Sequence, residues 1–216
     1  MSKPQNDERV LRFFPVNNDS PRVLTPAQIE CFNKNGYVKP LDVFTPLEAD
    51  ENRRYFDKLL DQTHQQGRNS YSINGYHTTH AAIWDLTTHP RILDYVQDIL
   101  GENFVCWVTH YFCKLPNDPK SVPWHQDASY WPLTPSKTVT VWLAIDDTTC
   151  ENSAMKVISS SYRTGHLKFT HVEDREVVLS QEVIDAELYG DVEYFELQAG
   201  QISLHSDMLI HGSDPN

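Results

Sequence analysis

His125 and Asp127, in the run PWHQDASYW (123–131), place an imidazole and a carboxylate two residues apart. On a strand, side chains at that spacing leave the same face. One His and one carboxylate side by side are two legs of the facial triad that binds non-haem iron. The third leg must come from a distant segment, and His211 in LIHGSDPN is the best-placed candidate. Iron held by three protein ligands keeps three open positions, two to chelate a 2-oxo acid and one for O2. His205 competes for the same place, since on a regular strand it would share a face with His211; the other reading makes it a residue of the core beside the ligand. An HxD pair alone is weak, because a chain with 10 His and many Asp produces such pairs on its surface by chance.

Ligands of this kind need rigid elements behind them. Four segments read as strands: FVCWVTHYFC (104–113), TVTVWLAI (138–145), AMKVIS (154–159) and QISLHSDMLIHG (201–212). They are β-branched and aromatic. The second alternates cleanly, with Val139, Val141, Leu143 and Ile145 on one face and Thr138, Thr140, Trp142 and Ala144 on the other. Ahead of them the pattern is helical. Thr25-Pro26 and Thr45-Pro46 each look like an N-cap followed by Pro at the first helical position. These helices run towards Gly36 and to about Gln66, and a third follows Pro90 as far as Gly101. The spacing therefore predicts a single domain over 1–216: an irregular arm at 1–24, a mainly helical part at 25–101 and a strand-rich core at 102–216. A polar stretch at about 161–195 interrupts that core as a lid or loop insertion. Helices followed by antiparallel-looking strands point to an α+β protein built on a jelly roll or barrel.

Composition narrows the partners. A net charge of −12 argues against a nucleic-acid surface, which needs clustered Lys and Arg. It favours a small neutral, cationic or zwitterionic ligand over a polyanion. No apolar run approaches the roughly 20 residues that span a bilayer, and the N-terminus lacks a signal-peptide core, so the expected place is the cytoplasm, away from membranes. Cys31, Cys106, Cys113 and Cys150 form no CxxC pair, which excludes a zinc knuckle; they read as reduced and mostly buried thiols. Tyr71, Asn74, Tyr76, His77, His80 and Trp84 make a region of polar aromatics that suits either substrate contacts or helix packing.

The runs PWHQDASYWPLTPSKTVTVWLAIDDTTCENSAMKVISSSYRTGHL and QAGQISLHSDMLIHGSDPN together resemble the phytanoyl-CoA dioxygenase family, over about residues 104–216 and more weakly in the helical part. That resemblance implies a double-stranded β-helix (jelly-roll) core with N-terminal helices packed on it. It implies an Fe(II)- and 2-oxoglutarate-dependent dioxygenase that uses O2 to hydroxylate a small molecule, giving succinate and CO2. His125, Asp127 and His211 match the iron ligands. Lys114, Thr140, Trp142 and Ser213 match positions of the cosubstrate pocket, although Lys114 could be merely exposed and Trp142 merely core. Ser159–Ser161 replaces the family's more usual Pro-Gly-Ser turn, and Ser153 stands where Gly is common. Halogenases of the same fold carry a small residue in place of the carboxylate, so Asp127 favours hydroxylation. A non-enzymatic β-barrel binding protein and a zinc site are the remaining alternatives. The family's Arg for the distal carboxylate of 2-oxoglutarate lies shortly after the distal His, and none of the residues from Gly212 to Asn216 is basic. The expectation is a truncated chain that lacks the last strand of the jelly roll, with Lys114 as the other anchor.

Overall fold

The computed structural model describes residues 9–173 and 176–216. Among them, four helices and nine strands are placed by local rules that the sequence displays. Helices α1 (Pro26–Asn35) and α2 (Pro46–Gln65) begin as expected. Thr25 and Thr45 accept from the amides of Gln28 and Glu48, whose side chains reach back to the cap amides, so each start is a reciprocal capping box. α1 stops at Gly36, whose φ of 85° suits a residue without Cβ. Helix α3 (Ala81–Thr87) was not anticipated, and α4 (Pro90–Leu100) follows its proline as predicted.

The strands are β1 (Tyr37–Asp42), β2 (Val122–His125), β3 (Thr140–Leu143), β4 (Lys156–Ile158), β5 (Thr170–His171), β6 (Gln181–Glu182), β7 (Val192–Tyr194), β8 (Gln201–His205) and β9 (His211–Ser213). They form an antiparallel sheet β1-β8-β3, a second antiparallel sheet β2-β9-β4-β7 and a small pair β5-β6. The alternation read in 138–145 decides the layering. Val141 and Leu143, opposite Leu204 and Ile202, face a core that includes Ile29 and Phe32 of α1 and Ile92, Val96 and Ile99 of α4. The other face carries Trp142, which joins Tyr37, Met155, Val157, Phe195 and Leu209 in a cluster drawn from both sheets. The helices therefore cover one side of the first sheet, and the second sheet packs on its other side. Among the described residues, the arm before α1 has no regular element, yet it is fastened. Asp98, 2 % exposed, accepts the amides of Arg22, Val23 and Leu24 at 2.8–2.9 Å.

Four expectations are corrected. The segment 104–113 is extended but forms no strand. Its backbone meets another segment around Asn74 and His110, and Val105 stays 85 % exposed. β-branched residues favour an extended backbone without supplying the neighbour that a ladder requires. The run 201–212 is not one strand but two, β8 and β9, in different sheets, because a turn intervenes in which the Leu209 amide donates to Ser206 O and the Ser206 amide to Gly36 O. The stretch 161–195 is not all loop, since β7 within it extends the second sheet beside β4. The cysteines are free thiols but not mostly buried: Cys31 and Cys113 are half-buried, while Cys106 in the open 104–113 segment and Cys150 on a surface turn are exposed. Among the described residues, no helix is long and apolar enough to cross a membrane.

Candidate metal centre

Strand β2 delivers His125 and then stops. Asp127 opens a 3-10 turn (Asp127–Ser129) instead of continuing the strand, so the two side chains converge through a bend, not through the strand alternation that the sequence suggested. The Ala128 amide donates to Asp207 O at 3.1 Å and pins that bend to the turn between β8 and β9. Strand β9 pairs His211 directly opposite His125.

The two rings are oriented by their own backbone. His125 Nδ1 donates to Pro123 O at 2.8 Å and His211 Nδ1 to Leu209 O at 3.0 Å. Each Nε2 is thereby left unprotonated in the neutral ring and turned towards Asp127, whose Oδ1 lies 3.6 Å from His125 Nε2 and 3.7 Å from His211 Nε2. These separations are too long for hydrogen bonds. They suit three ligand atoms around one small ion at about 2.0–2.2 Å from each. The ligand atoms all lie within 4.8 Å of one another, and the two rings are 3 % and 7 % exposed. This donor set, two imidazoles and a carboxylate in a dry pocket, fits a divalent first-row metal.

The charge states agree with that use. Burial pushes the Asp127 carboxyl up, but the imidazoles of His211 and His125 outweigh it and hold the group well below the usual carboxylate range. Burial first, then the neighbouring His125 ring, pushes His211 down to about 3. Near neutral pH Asp127 is therefore a carboxylate and His211 a neutral imidazole, so these two groups can bind a cation without first losing a proton.

Of the residues expected beside the triad, Thr140 touches it directly. Thr140 Oγ1 donates to Asp127 Oδ2 at 3.0 Å, which leaves Oδ1 to face the histidines. Thr140→Val keeps shape and removes this bond. The expected result is a loss of about 10–100-fold in metal affinity, the usual effect of deleting a hydrogen bond behind a ligand, with recovery in Thr140→Ser; Co(II) titration of the three proteins measures it. Lys114 is not merely exposed. Its Nζ donates to Ser213 Oγ at 2.6 Å, to Ser153 Oγ at 2.8 Å and to Asp214 O, and burial pulls its ammonium down to about 8. Ser153 holds φ 72° and Ser160 φ 64°, so both departures from the family's glycine pattern occupy the left-handed region. The Ser153 side chain is used as a second acceptor for Lys114. Trp142 lies in the cluster between the sheets. His205 is not in the ligand set, although its ring centroid is 4.8 Å from that of His211.

Several polar aromatics of the N-terminal half contact neighbouring side chains, while Trp84 stays 51 % exposed. Tyr76 stacks on His80, His77 Nδ1 bonds Thr109 Oγ1, and the Tyr71 hydroxyl donates to Asp118. Sequence reasoning missed Gln126. Fully buried between the two ligands, its amide donates to Gly165 O and Met208 O and accepts from the Leu167 amide, which ties three segments to the metal bend. A Gln inside HxD carries no local signal of burial.

Residues 22–216 match the family model described as phytanoyl-CoA dioxygenase (PhyH). The chain is 27 % identical over 183 residues to a probable alpha-ketoglutarate-dependent hypophosphite dioxygenase of Stutzerimonas stutzeri, covering 83 % of this chain and 63 % of that protein. A similarity of 26 % over 136 residues to the peroxisomal phytanoyl-CoA dioxygenase of Bos taurus covers 60 % of this chain and 40 % of that one. The chain thus spans less than two thirds of the length of both curated relatives. Among solved structures, the non-heme monooxygenase ThoJ in its apo form superposes with a TM-score of 0.72 at 28 % identity, over 87 % of this chain and 70 % of that one.

Proposed function

We propose that this chain, which belongs to the phytanoyl-CoA dioxygenase family, is an Fe(II)- and 2-oxoglutarate-dependent dioxygenase that hydroxylates a small molecule in the cytoplasm. The observation that carries the reading is the buried set of His125 Nε2, Asp127 Oδ1 and His211 Nε2, turned towards a common point. The two antiparallel sheets with helices on one side support a double-stranded β-helix in a single domain. When bound, iron chelated by 2-oxoglutarate supplies the activation of O2 that hydroxylation needs, with succinate and CO2 as coproducts.

The protein's own part is positioning. His125, Asp127 and His211 would hold the metal and leave its remaining positions to exchangeable ligands. Thr140 steadies Asp127. Ser213 and Lys114, joined at 2.6 Å, are the proposed seat of the distal carboxylate, with Trp142 as the wall beside it. Lys114 serves there as the ammonium, which prevails below about pH 8. The carboxylate of Asp127 fills the place that a halide would need, which favours hydroxylation over halogenation. A net charge of −12 favours a cationic or zwitterionic substrate over a polyanion.

The test is a substrate panel with purified protein, Fe(II), ascorbate and 2-oxoglutarate, read as succinate formed against product hydroxylated. The expected result is one-to-one formation of the two with at least one small molecule. Turnover that continues without 2-oxoglutarate, or a protein that takes only zinc and never consumes 2-oxoglutarate, rejects the reading.

A further inference from the structure

The inner face of β8 carries two polar side chains that have nothing to bond. Ser203 is 0 % exposed and its Oγ lacks a partner; His205 is 1 % exposed and neither of its ring nitrogens has one. Buried polar atoms are almost always paired in a folded protein, so two adjacent exceptions call for a cause. Ser203 and His205 are two residues apart on one strand and leave the same face. Opposite them on β3 stand Trp142 and Thr140, and Thr140 is bonded to Asp127. The face that holds the unpaired atoms is therefore a wall of the metal centre. His205 lies closest to it, its ring centroid 4.8 Å from that of His211. Its nitrogens do not converge with the three ligand atoms, so it is a neighbour of the metal position and not a fourth ligand.

We propose that His205 is a positioning residue that hydrogen-bonds the oxygen ligand filling the metal's open position beside β8, and that Ser203 continues the same hydrogen-bonding wall one step along the strand. The inference rests on the iron and 2-oxoglutarate reading, in which that ligand is the chelating carboxylate end of 2-oxoglutarate. A neutral imidazole offers one N–H donor, and a serine offers a second from its hydroxyl. Both donors match the acceptors of a carboxylate. The two side chains lie on β8, in the other sheet from Ser213 on β9, so the cosubstrate would be held between the sheets from both sides.

The experiment separates metal binding from cosubstrate binding. Co(II) affinity is measured on the apoprotein, and 2-oxoglutarate affinity on the Fe(II)-loaded protein under anaerobic conditions by the visible charge-transfer absorbance. For His205→Phe, which keeps a buried ring and deletes both nitrogens, Co(II) affinity is expected to stay within about threefold while 2-oxoglutarate binds about tenfold or more weakly, the effect of losing one hydrogen bond to a charged group. His205→Gln, which keeps a donor and an acceptor, should recover part of that loss. Ser203→Ala removes a single oxygen and carries the same test if the ring substitution unfolds the chain; it should weaken 2-oxoglutarate by about threefold or more. Unchanged 2-oxoglutarate affinity in both variants overturns the proposal, as does loss of Co(II) binding in a folded His205→Phe. A wild-type protein that binds metal but not 2-oxoglutarate overturns the underlying cosubstrate reading instead.

Discussion

Asp127→Ala should abolish hydroxylation and weaken Co(II) or Fe(II) binding by at least about 100-fold, since deleting a ligand costs no less than deleting its outer support. The variant removes the only carboxylate of the triad and leaves two imidazoles as its remaining donors. It also strands the Thr140 hydroxyl, whose bond at 3.0 Å has Asp127 Oδ2 as acceptor. Stability of the apoprotein should change far less than metal affinity. The carboxylate faces two histidines across 3.6 and 3.7 Å without hydrogen-bonding them. The check is a metal titration beside a denaturant melt of the apoprotein. Full turnover in Asp127→Ala, or equal metal affinity, removes His125-Asp127-His211 as the centre.

Gly212→Ala is expected to be nearly as damaging, through space alone. Gly212 sits between His211 and Ser213 on β9, and a Cβ there would come 2.6 Å from Val122 O and 3.3 Å from the carbonyl of Pro123. Those atoms are backbone of β2, so no rotamer relieves the contact. The two strands must part, and they are the strands that hold His125 and His211. Overpacking of this kind costs about 1–3 kcal/mol, occasionally more. The displacement should also cost about tenfold or more in metal affinity, because ligand geometry tolerates errors of only about 0.5 Å. Denaturant melts and Co(II) titration of Gly212→Ala report the two effects; wild-type values in both would show that β2 and β9 yield without consequence. The glycine of the HGS motif is thus required by close approach between strands rather than by an unusual φ.

The contrast between what could and could not be foreseen follows from where each signal resides. Helices α1 and α2 were legible because Thr-Pro caps and their partners Gln28 and Glu48 act within one turn of chain. The layering of β3 was legible because burial alternates with the residue. The three candidate ligands could be named together because their types and the HGS context point to one chemistry. The failures lie where partners are distant. FVCWVTHYFC has strand composition, yet Trp107 is 49 % exposed and, among the described residues, its one bridge is from His110 to Asn74. The break between β8 and β9 depends on a bond from Ser206 to Gly36, across most of the chain. Gln126 shows what it does only through its burial and its hydrogen bonds to three other segments, which a string of letters does not contain.

Both histidine rings of the triad are clamped at Nδ1 by a carbonyl two residues earlier in the chain, Pro123 within β2 for His125 and Leu209 in the turn before β9 for His211. These clamps involve no metal, no cosubstrate and no other side chain. The rings are therefore aimed by backbone that must form for β2 and β9 to exist at all, and little entropy remains to be lost when an ion arrives. Such a seat accepts and releases its ion without refolding, unlike small domains whose structure collapses on chelation. Affinity for an N/O donor set rises from Mn(II) through Fe(II) and Co(II) to Ni(II) regardless of catalytic use, so the donor types alone do not single out Fe(II). Which ion occupies it in a cell is then decided by supply, and protein purified from a nickel column would carry the wrong one until it is stripped and reloaded.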